Sequence, residues 1–142
     1  MIAWLRRLLR GEAPVLDRGR WGEDLAAGVL RRAGLRILGR RVRTGRRGEL
    51  DLVARDGDTL VFVEVKTRRA EVYGRPADSV DRDKRRALSR AAVRYLRRLR
   101  DRPPYIRFDV VEVIGEPGGA AAPEVRHLRD AFPLERPYRL PW

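Results

Sequence analysis

Two carboxylates and one lysine lie on neighbouring β-prone runs, at a spacing that can bring them to one face of a sheet. Glu64 and Lys66 are two residues apart in the run VFVEVKT, so they project from the same side of a strand. Asp51 lies in the preceding run, ELDLVAR, with Leu50 and Leu52 expected on the opposite face. Carboxylate oxygens are preferred ligands of Mg²⁺, which activates water and neutralises charge on a phosphate. The pattern therefore predicts phosphodiester hydrolysis.

The turn between the two runs decides how the acids meet. It has the hairpin sequence Asp56-Gly57-Asp58. If Gly57 and Asp58 form the two-residue turn, Asp51 lies directly opposite Glu64. If Asp56 and Gly57 form it, Asp51 faces Phe62 and Glu64 lies diagonally across. Both registers put the acids and Lys66 on one face, which only an odd-residue bulge would prevent. Opposed like charges destabilise a sheet, so a cation or a shared proton is expected between them.

The lysine is unusual for this chain. Lysine and arginine together number 33, and only Lys66 and Lys84 are lysines. The pKa of an amine, about 10.4 when unperturbed, can be lowered by its surroundings so that the amine orients or deprotonates water, whereas arginine stays protonated. In the alternative interpretation, both lysines are remnants of the codon bias of a GC-rich genome, and Glu64 and Lys66 belong to solvated cross-strand ion pairs.

Two helices and four strands are expected to position these residues. Apolar residues recur at helical spacing from Arg18 to Gly34 and from Asp78 to Arg100. The face that carries Val61, Val63 and Val65 is expected to be the core side of its strand. A loop is predicted at 69–77. Strands are predicted at 35–44, 49–55, 59–67 and 106–114.

Length and composition limit the classes of protein. A chain of 142 residues suits one domain with one core. The sequence has no cysteine, which excludes a disulfide framework and thiol chemistry and fits a cytoplasmic protein. A net charge of +13 implies a polyanionic partner, with nucleic acid as the leading candidate. His127, the only histidine, lies near the C-terminus and is assigned no catalytic role.

The sequence divides into three parts. Residues 1–17 form an N-terminal extension, whose start, MIAWLRRLLR, predicts a short amphipathic helix that packs on the domain or, less favoured, lies on a membrane surface. Its apolar run is too short for a signal peptide or a membrane span. Residues 18–114 form the predicted core domain. Residues 115–142 are a Gly/Pro-rich tail that has room for a short edge element.

Four segments within residues 18–114 resemble the YraN family of small bacterial proteins. They read RGRWGEDLAAGVL, RRGELDLVARDGDTLVFVEVKTR, YGRPADSVDRDKRRAL and RFDVV. That family is similar to restriction-endonuclease-like nucleases, archaeal Holliday junction resolvases and the tRNA-endonuclease-like domain. The resemblance implies an α/β fold with an αβββαβ core, in which helices flank a mixed central sheet.

The resemblance also implies a set of site residues. Asp51, Glu64 and the backbone carbonyl of Val65 would hold Mg²⁺ or Mn²⁺, and Lys66 would be the catalytic amine. Glu23 matches a further acidic ligand on the first helix of the resolvase-like branch, although considered alone it is an ordinary exposed helix charge.

The function implied is that of a nucleic-acid-binding protein, namely a divalent-metal-dependent endonuclease. Its substrate would be DNA rather than RNA, including branched or structured DNA. By analogy with the resolvases, the protein would form a homodimer. The alternative is a non-catalytic nucleic-acid-binding accessory protein with a vestigial metal site.

Basic residues near the acids are candidate contacts to backbone phosphates. Each has an alternative interpretation as solvated surface in an arginine-rich chain, and Lys84 would then be an ordinary exposed helix residue. The candidates are Arg43, Arg46, Arg47, Arg68, Arg69 and Lys84.

Overall fold

The computed structural model describes residues 17–70 and 80–142, which form two helices and five strands. The predicted order of helix, three strands, helix and strand is confirmed, and a further strand follows it. The predicted N-terminal helix and most of the loop at 69–77 lie outside the described residues. The elements are α1 (Arg18–Arg32), β1 (Arg36–Arg43), β2 (Glu49–Asp56), β3 (Thr59–Arg68), α2 (Arg82–Arg97), β4 (Tyr105–Ile114) and β5 (Glu124–Phe132).

The five strands form one mixed sheet in the order β1-β2-β3-β4-β5. Strands β3 and β4 are parallel, and all other neighbours are antiparallel. A parallel pair needs a crossover connection, and α2 lies in that connection. The predicted α/β class, an αβββαβ core with helices flanking a mixed sheet, is confirmed.

Both faces of the sheet are buried. On one face Val61 and Val63 pack in a cluster with the apolar side of α1. On the other face Phe62 and Phe108 pack with the apolar side of α2. The valine face is a core side, as expected, with Val63 2% exposed, but the opposite face is buried as well, since Phe62 is 1% exposed. A sheet with a helix on each side buries both of its faces, so a site on this sheet lies beneath a helix or at a sheet end.

Aspartates cap the start of both helices. The Asp17 carboxylate accepts a hydrogen bond from the main-chain N–H of Arg20, and the Asp81 carboxylate accepts one from Lys84. The cap at Asp81 starts α2 inside the predicted range of 78–100. Among the described residues, no helix has the length and apolar character needed to cross a membrane.

The expected tail carries the fifth strand, β5, which lies at the sheet edge beside β4. Asp109 of β4 is fully buried and joins the two strands. Its carboxylate accepts hydrogen bonds from the Arg107 guanidinium and the Asp130 main-chain N–H, and it lies 2.8 Å from Nε2 of His127. Burial alone would raise the Asp109 pKa, but these partners outweigh burial and lower it. Asp109 therefore links β4 to β5 through His127 and the main chain of Asp130.

Candidate active site

Pairing between β2 and β3 ends just before the two acids. Asp56 pairs with Thr59, so the second and third residues of Asp56-Gly57-Asp58 form the turn. The ladder continues as far as Leu52 and Val63 and stops there. Asp51 and Glu64 are the next residue of each strand, so the acids lie where the strands separate.

The alternation of β2 breaks at Asp51. Leu50 packs on the α2 side of the sheet, whereas Leu52 packs on the α1 side, so the prediction that these leucines share a face is wrong. In the neighbouring strand, Arg41 has a positive φ of 48°, and the pairs on either side of it place it beside Asp51. Both strands therefore depart from regular geometry at this level, which strict alternation cannot anticipate.

The Asp51 carboxylate is held by the main chain of β3. The N–H of Val65 donates a hydrogen bond to Oδ2 of Asp51 at 2.8 Å. Burial, followed by the charges of Glu64 and Glu23, raises the pKa of Asp51 to about 7, although the Val65 N–H acts to lower it. The charge of Glu64 thus disfavours a negative charge on Asp51, and an added cation would relieve that repulsion.

Glu64 is the most buried acid of the site, with a side chain that is 6% exposed. Its Oε1 atom lies 3.8 Å from Nζ of Lys66 and 3.5 Å from Nζ of Lys84. Its Oε2 atom is buried and has no hydrogen-bond partner in the described part of the chain. Buried polar atoms are nearly always partnered, so this oxygen is available to a ligand.

Lys84 contacts Glu64 in the structure, a contact that sequence reasoning missed. From the sequence, this lysine was either a contact to a phosphate at the start of the second helix or an ordinary exposed helix residue. The contact depends on how α2 crosses the sheet, which no local pattern specifies. The available signal was its residue type, since Lys84 is the second of only two lysines in the sequence.

Glu23 lies on α1 and forms an ion pair with Arg41. Nε of Arg41 is 2.7 Å from Oε2 of Glu23, and the Glu23 side chain is 11% exposed. Its charge reaches Asp51, because it contributes to the raised pKa of that residue. Nothing in the sequence distinguishes Arg41 from the other arginines. A cleft of about 340 Å³ opens beside the pair and is lined by Arg20, Glu23, Asp24, Arg40 and Arg41.

Asp51 and Glu64 offer two carboxylates to a divalent ion. Within residues 17–70 and 80–142, no group of three or more His, Cys, Asp or Glu side chains is placed to hold a metal. Glu23, which is paired with Arg41, therefore does not complete a three-ligand cluster with Asp51 and Glu64. One or two carboxylates with water and a substrate phosphate are, however, a normal Mg²⁺ coordination set. The unpartnered Oε2 of Glu64 and the raised pKa of Asp51 fit an added positive charge, so this donor set fits Mg²⁺ or Mn²⁺.

The candidate phosphate-binding arginines lie at the same end of the sheet as the acids. Three are exposed around the β1–β2 connection, one is half-buried at the end of β3, and one is exposed just beyond it. The last, Arg69, forms an exposed ion pair with Glu116 at 3.2 Å. In chain order they are Arg43, Arg46, Arg47, Arg68 and Arg69.

Comparison with known protein families matches residues 22–113 to the uncharacterised protein family UPF0102. The chain belongs to the UPF0102 family. This membership confirms the resemblance to the YraN family, which is the same family. The match includes all three residues of the D…E-x-K pattern, Asp51, Glu64 and Lys66.

Similar UPF0102 proteins occur in several bacteria. The protein from Symbiobacterium thermophilum is 51% identical over 114 residues, covering 80% of this chain and 94% of that protein. One from Rhodococcus opacus is 47% identical over 114 residues, with the same coverage of 80% and 94%. One from Syntrophotalea carbinolica is 49% identical over 122 residues, covering 84% of this chain and 94% of that protein. Their names state the UPF0102 family and no activity, so function must be argued from the site.

Proposed function

We propose that this UPF0102 protein is a divalent-metal-dependent endonuclease that hydrolyses phosphodiester bonds in DNA, including branched or structured DNA. One observation carries the proposal: Asp51 and Glu64 lie together, beside Lys66, where β2 and β3 separate. Two carboxylates that repel each other where strands separate lower the stability of the fold, so folding by itself does not explain them. A site for a cation and a phosphate accounts for that cost.

Asp51 and Glu64 would hold Mg²⁺ or Mn²⁺, and the Val65 carbonyl is the proposed third ligand. When bound, the ion would lower the pKa of a coordinated water and neutralise charge on the phosphate. The Val65 N–H orients the Asp51 carboxylate through its hydrogen bond to Oδ2. Glu23 is engaged by Arg41, so its participation as a ligand requires that ion pair to open.

Lys66 is proposed to position the attacking water. Its amine lies 3.8 Å from Oε1 of Glu64 and its side chain is 31% exposed, so it borders both the acids and solvent. The water oxygen would attack phosphorus while the bond from phosphorus to the leaving sugar oxygen breaks. A compact amine can approach that water and can exchange a proton with it, whereas a guanidinium stays protonated.

Nucleic acid is the proposed partner because the net charge is +13 and exposed arginines border the acids. The basic candidates around the site, including Lys84, would contact backbone phosphates and so position the strand without reading its sequence. The preference for DNA over RNA and the homodimer both rest on the resemblance to resolvases and stay predictions. A cytoplasmic location also stays a prediction.

The test is cleavage of linear duplex, single-stranded and four-way-junction DNA, with matching RNA, in the presence of Mg²⁺ or Mn²⁺. We expect metal-dependent cleavage of at least one DNA. Glu64→Ala and Lys66→Ala should each lower the rate at least about 100-fold. Glu124→Ala, which removes an exposed acid of β5, is the control. The proposal fails if wild type cuts none of these substrates or if both site variants keep full activity.

A non-catalytic nucleic-acid-binding protein is the second candidate function. Two observations favour it: the high positive charge of the chain, and the absence of a three-ligand metal cluster among the described side chains. It predicts binding that weakens steeply with salt, without turnover. Titration calorimetry separates the two candidates, since this one predicts no divalent-ion binding either alone or with DNA.

A further inference from the structure

The two lysines of the sequence meet on one atom. Lys66 comes from β3 and Lys84 from the first turn of α2, yet both amines approach Oε1 of Glu64, at 3.8 Å and 3.5 Å. The amine from the helix is the closer of the two. The remaining 31 of the 33 basic residues are arginine, so both lysines of this chain serve a single buried carboxylate.

These ammonium groups lie at Oε1 of the carboxylate that the proposed metal site requires, whereas its Oε2 has no hydrogen-bond partner in the described part of the chain. Glu64 is 6% exposed, and Coulomb interactions are strengthened where water is excluded. A divalent ion that binds Glu64 must therefore compete with two positive charges already near Oε1. Metal affinity in the free protein should be low for that reason.

Lys84 is better placed than Lys66 to leave Glu64. Its side chain is 43% exposed, compared with 31% for Lys66, and it projects from a helix end rather than from the interior of a sheet. A phosphate approaching this end of α2 would meet both the Lys84 amine and the positive end of the helix dipole. An ammonium on a flexible four-carbon side chain can transfer from a carboxylate to such a phosphate.

We propose that Lys84 is a positioning residue that holds Glu64 in the free protein and moves to a phosphate of bound nucleic acid, so that divalent-ion binding and nucleic-acid binding are coupled. The inference rests on the proposed nuclease function and adds that binding of nucleic acid favours binding of the divalent ion. Coupling is reciprocal, so the nucleic acid tightens metal binding by the same factor as the metal tightens nucleic-acid binding.

The experiment is calorimetric titration of Mn²⁺ into the full-length protein without nucleic acid. Lys84→Met removes the competing charge and keeps the length of the side chain, so it should bind Mn²⁺ about tenfold more tightly than wild type. Lys84→Gln should act in the same direction. Arg86→Met is the matched control, because it removes one exposed charge two residues along the same helix, on a different side. It should change the affinity less than about twofold.

The second arm repeats the titration with a nuclease-resistant phosphorothioate DNA duplex. The DNA should tighten Mn²⁺ binding to wild type by a larger factor than to Lys84→Met, in which the competing charge is already gone. The inference is overturned if both Lys84 variants bind Mn²⁺ no more tightly than Arg86→Met, or if DNA tightens wild type and Lys84→Met equally. In either of these outcomes the wild type still binds Mn²⁺, so the proposed metal site would stand while the role of Lys84 would not. Absence of Mn²⁺ binding by every protein, with or without DNA, overturns the metal site itself together with the inference.

Discussion

The main-chain N–H of Val65 donates a hydrogen bond to Oδ2 of Asp51 at 2.8 Å, beyond the last backbone pair of β2 and β3. The carboxylate accepts from an N–H that a continuing ladder would have paired with a strand carbonyl. Asp51 is thereby fixed to the residue between Glu64 and Lys66, so one side chain links the two halves of the D…E-x-K pattern. The register of β2 and β3 brings the acids near each other, and this hydrogen bond fixes the Asp51 carboxylate where the pairing has ended.

Asp51→Asn should make the protein more stable above neutral pH in the absence of divalent ions. The folded-state pKa of Asp51 is about 7 against 3.8 for the unfolded chain, so the native state holds the extra proton between these values. The free energy of unfolding of wild type therefore falls as the pH rises from about 4 to 7, and it remains lower above that window. Asparagine keeps an oxygen for the Val65 N–H and carries no charge. Each pKa unit is worth about 1.4 kcal/mol, so a gain of about 2 kcal/mol at pH 8 is expected after solvent screening.

Urea denaturation of wild type and Asp51→Asn at pH 4 and pH 8 measures this difference. The two proteins should differ little at pH 4, where Asp51 is protonated in the native state. Mg²⁺ should stabilise wild type at pH 8 and have a much smaller effect on the variant. A pH-independent difference between them would show that the carboxylates do not compete for charge.

Lys66→Arg should fold and bind DNA as wild type does but lose cleavage at least about 100-fold. The substitution keeps the positive charge beside Glu64, so circular dichroism and the salt dependence of DNA binding should not change. Cleavage requires a group that can approach and exchange a proton with water, which a guanidinium does poorly. Arg86→Lys, the reverse exchange on an exposed face of α2, is the control and should retain the wild-type rate. Normal cleavage by Lys66→Arg would mean that the reaction does not require an amine at this position.

Asp109→Ala should destabilise the protein by about 3 kcal/mol, because it removes the buried partner of His127 and one of the two acids paired with Arg107. Glu124→Ala is the matched control. It breaks an exposed pair with Arg126 on the same strand and should cost less than about 1 kcal/mol. Chemical denaturation at pH 7 measures both.

The contribution of Asp109 should also depend on pH. Its folded-state pKa lies below the unfolded value of 3.8, so its stabilisation is present above that value and is lost as the pH falls through the folded pKa. If Asp109→Ala lowers the free energy of unfolding by no more than Glu124→Ala does, the buried network does not hold β5.

The double substitution Arg46→Ala and Arg47→Ala should weaken DNA binding and reduce its salt dependence. Both residues are exposed in the β1–β2 connection, at the end of the sheet that carries the acids. If each contacts one phosphate, the slope of log affinity against log salt should fall in magnitude by about 2. Arg31→Ala with Arg32→Ala makes the same charge change in the last turn of α1. An equal effect of the control pair would mean that binding follows net charge and not a surface around the site.

Local patterns in the sequence were enough to predict the hairpin and the acids that it brings together. The turn at Asp56-Gly57-Asp58 limited β2 and β3 to two registers, and both placed Asp51 near Glu64. The spacing of Glu64 and Lys66 places them on one face in any regular strand. The order of helices and strands was likewise accessible, because hydrophobic periodicity and Gly or Pro breaks act over a few residues.

Contacts between elements distant in the sequence could not be predicted in this way. Lys84 reaches Glu64, and Arg41 reaches Glu23, because the helices pack at particular positions on the sheet. The same packing buries Phe62, and departure from regular strand geometry at Asp51 sends Leu50 and Leu52 to opposite faces. The spacing of apolar residues specifies which face of a helix or strand is apolar. The packing of side chains across the core decides where helices cross the sheet and how strands bend. The acids are therefore a property of the local sequence, and the cations that contact them are a property of the packed fold.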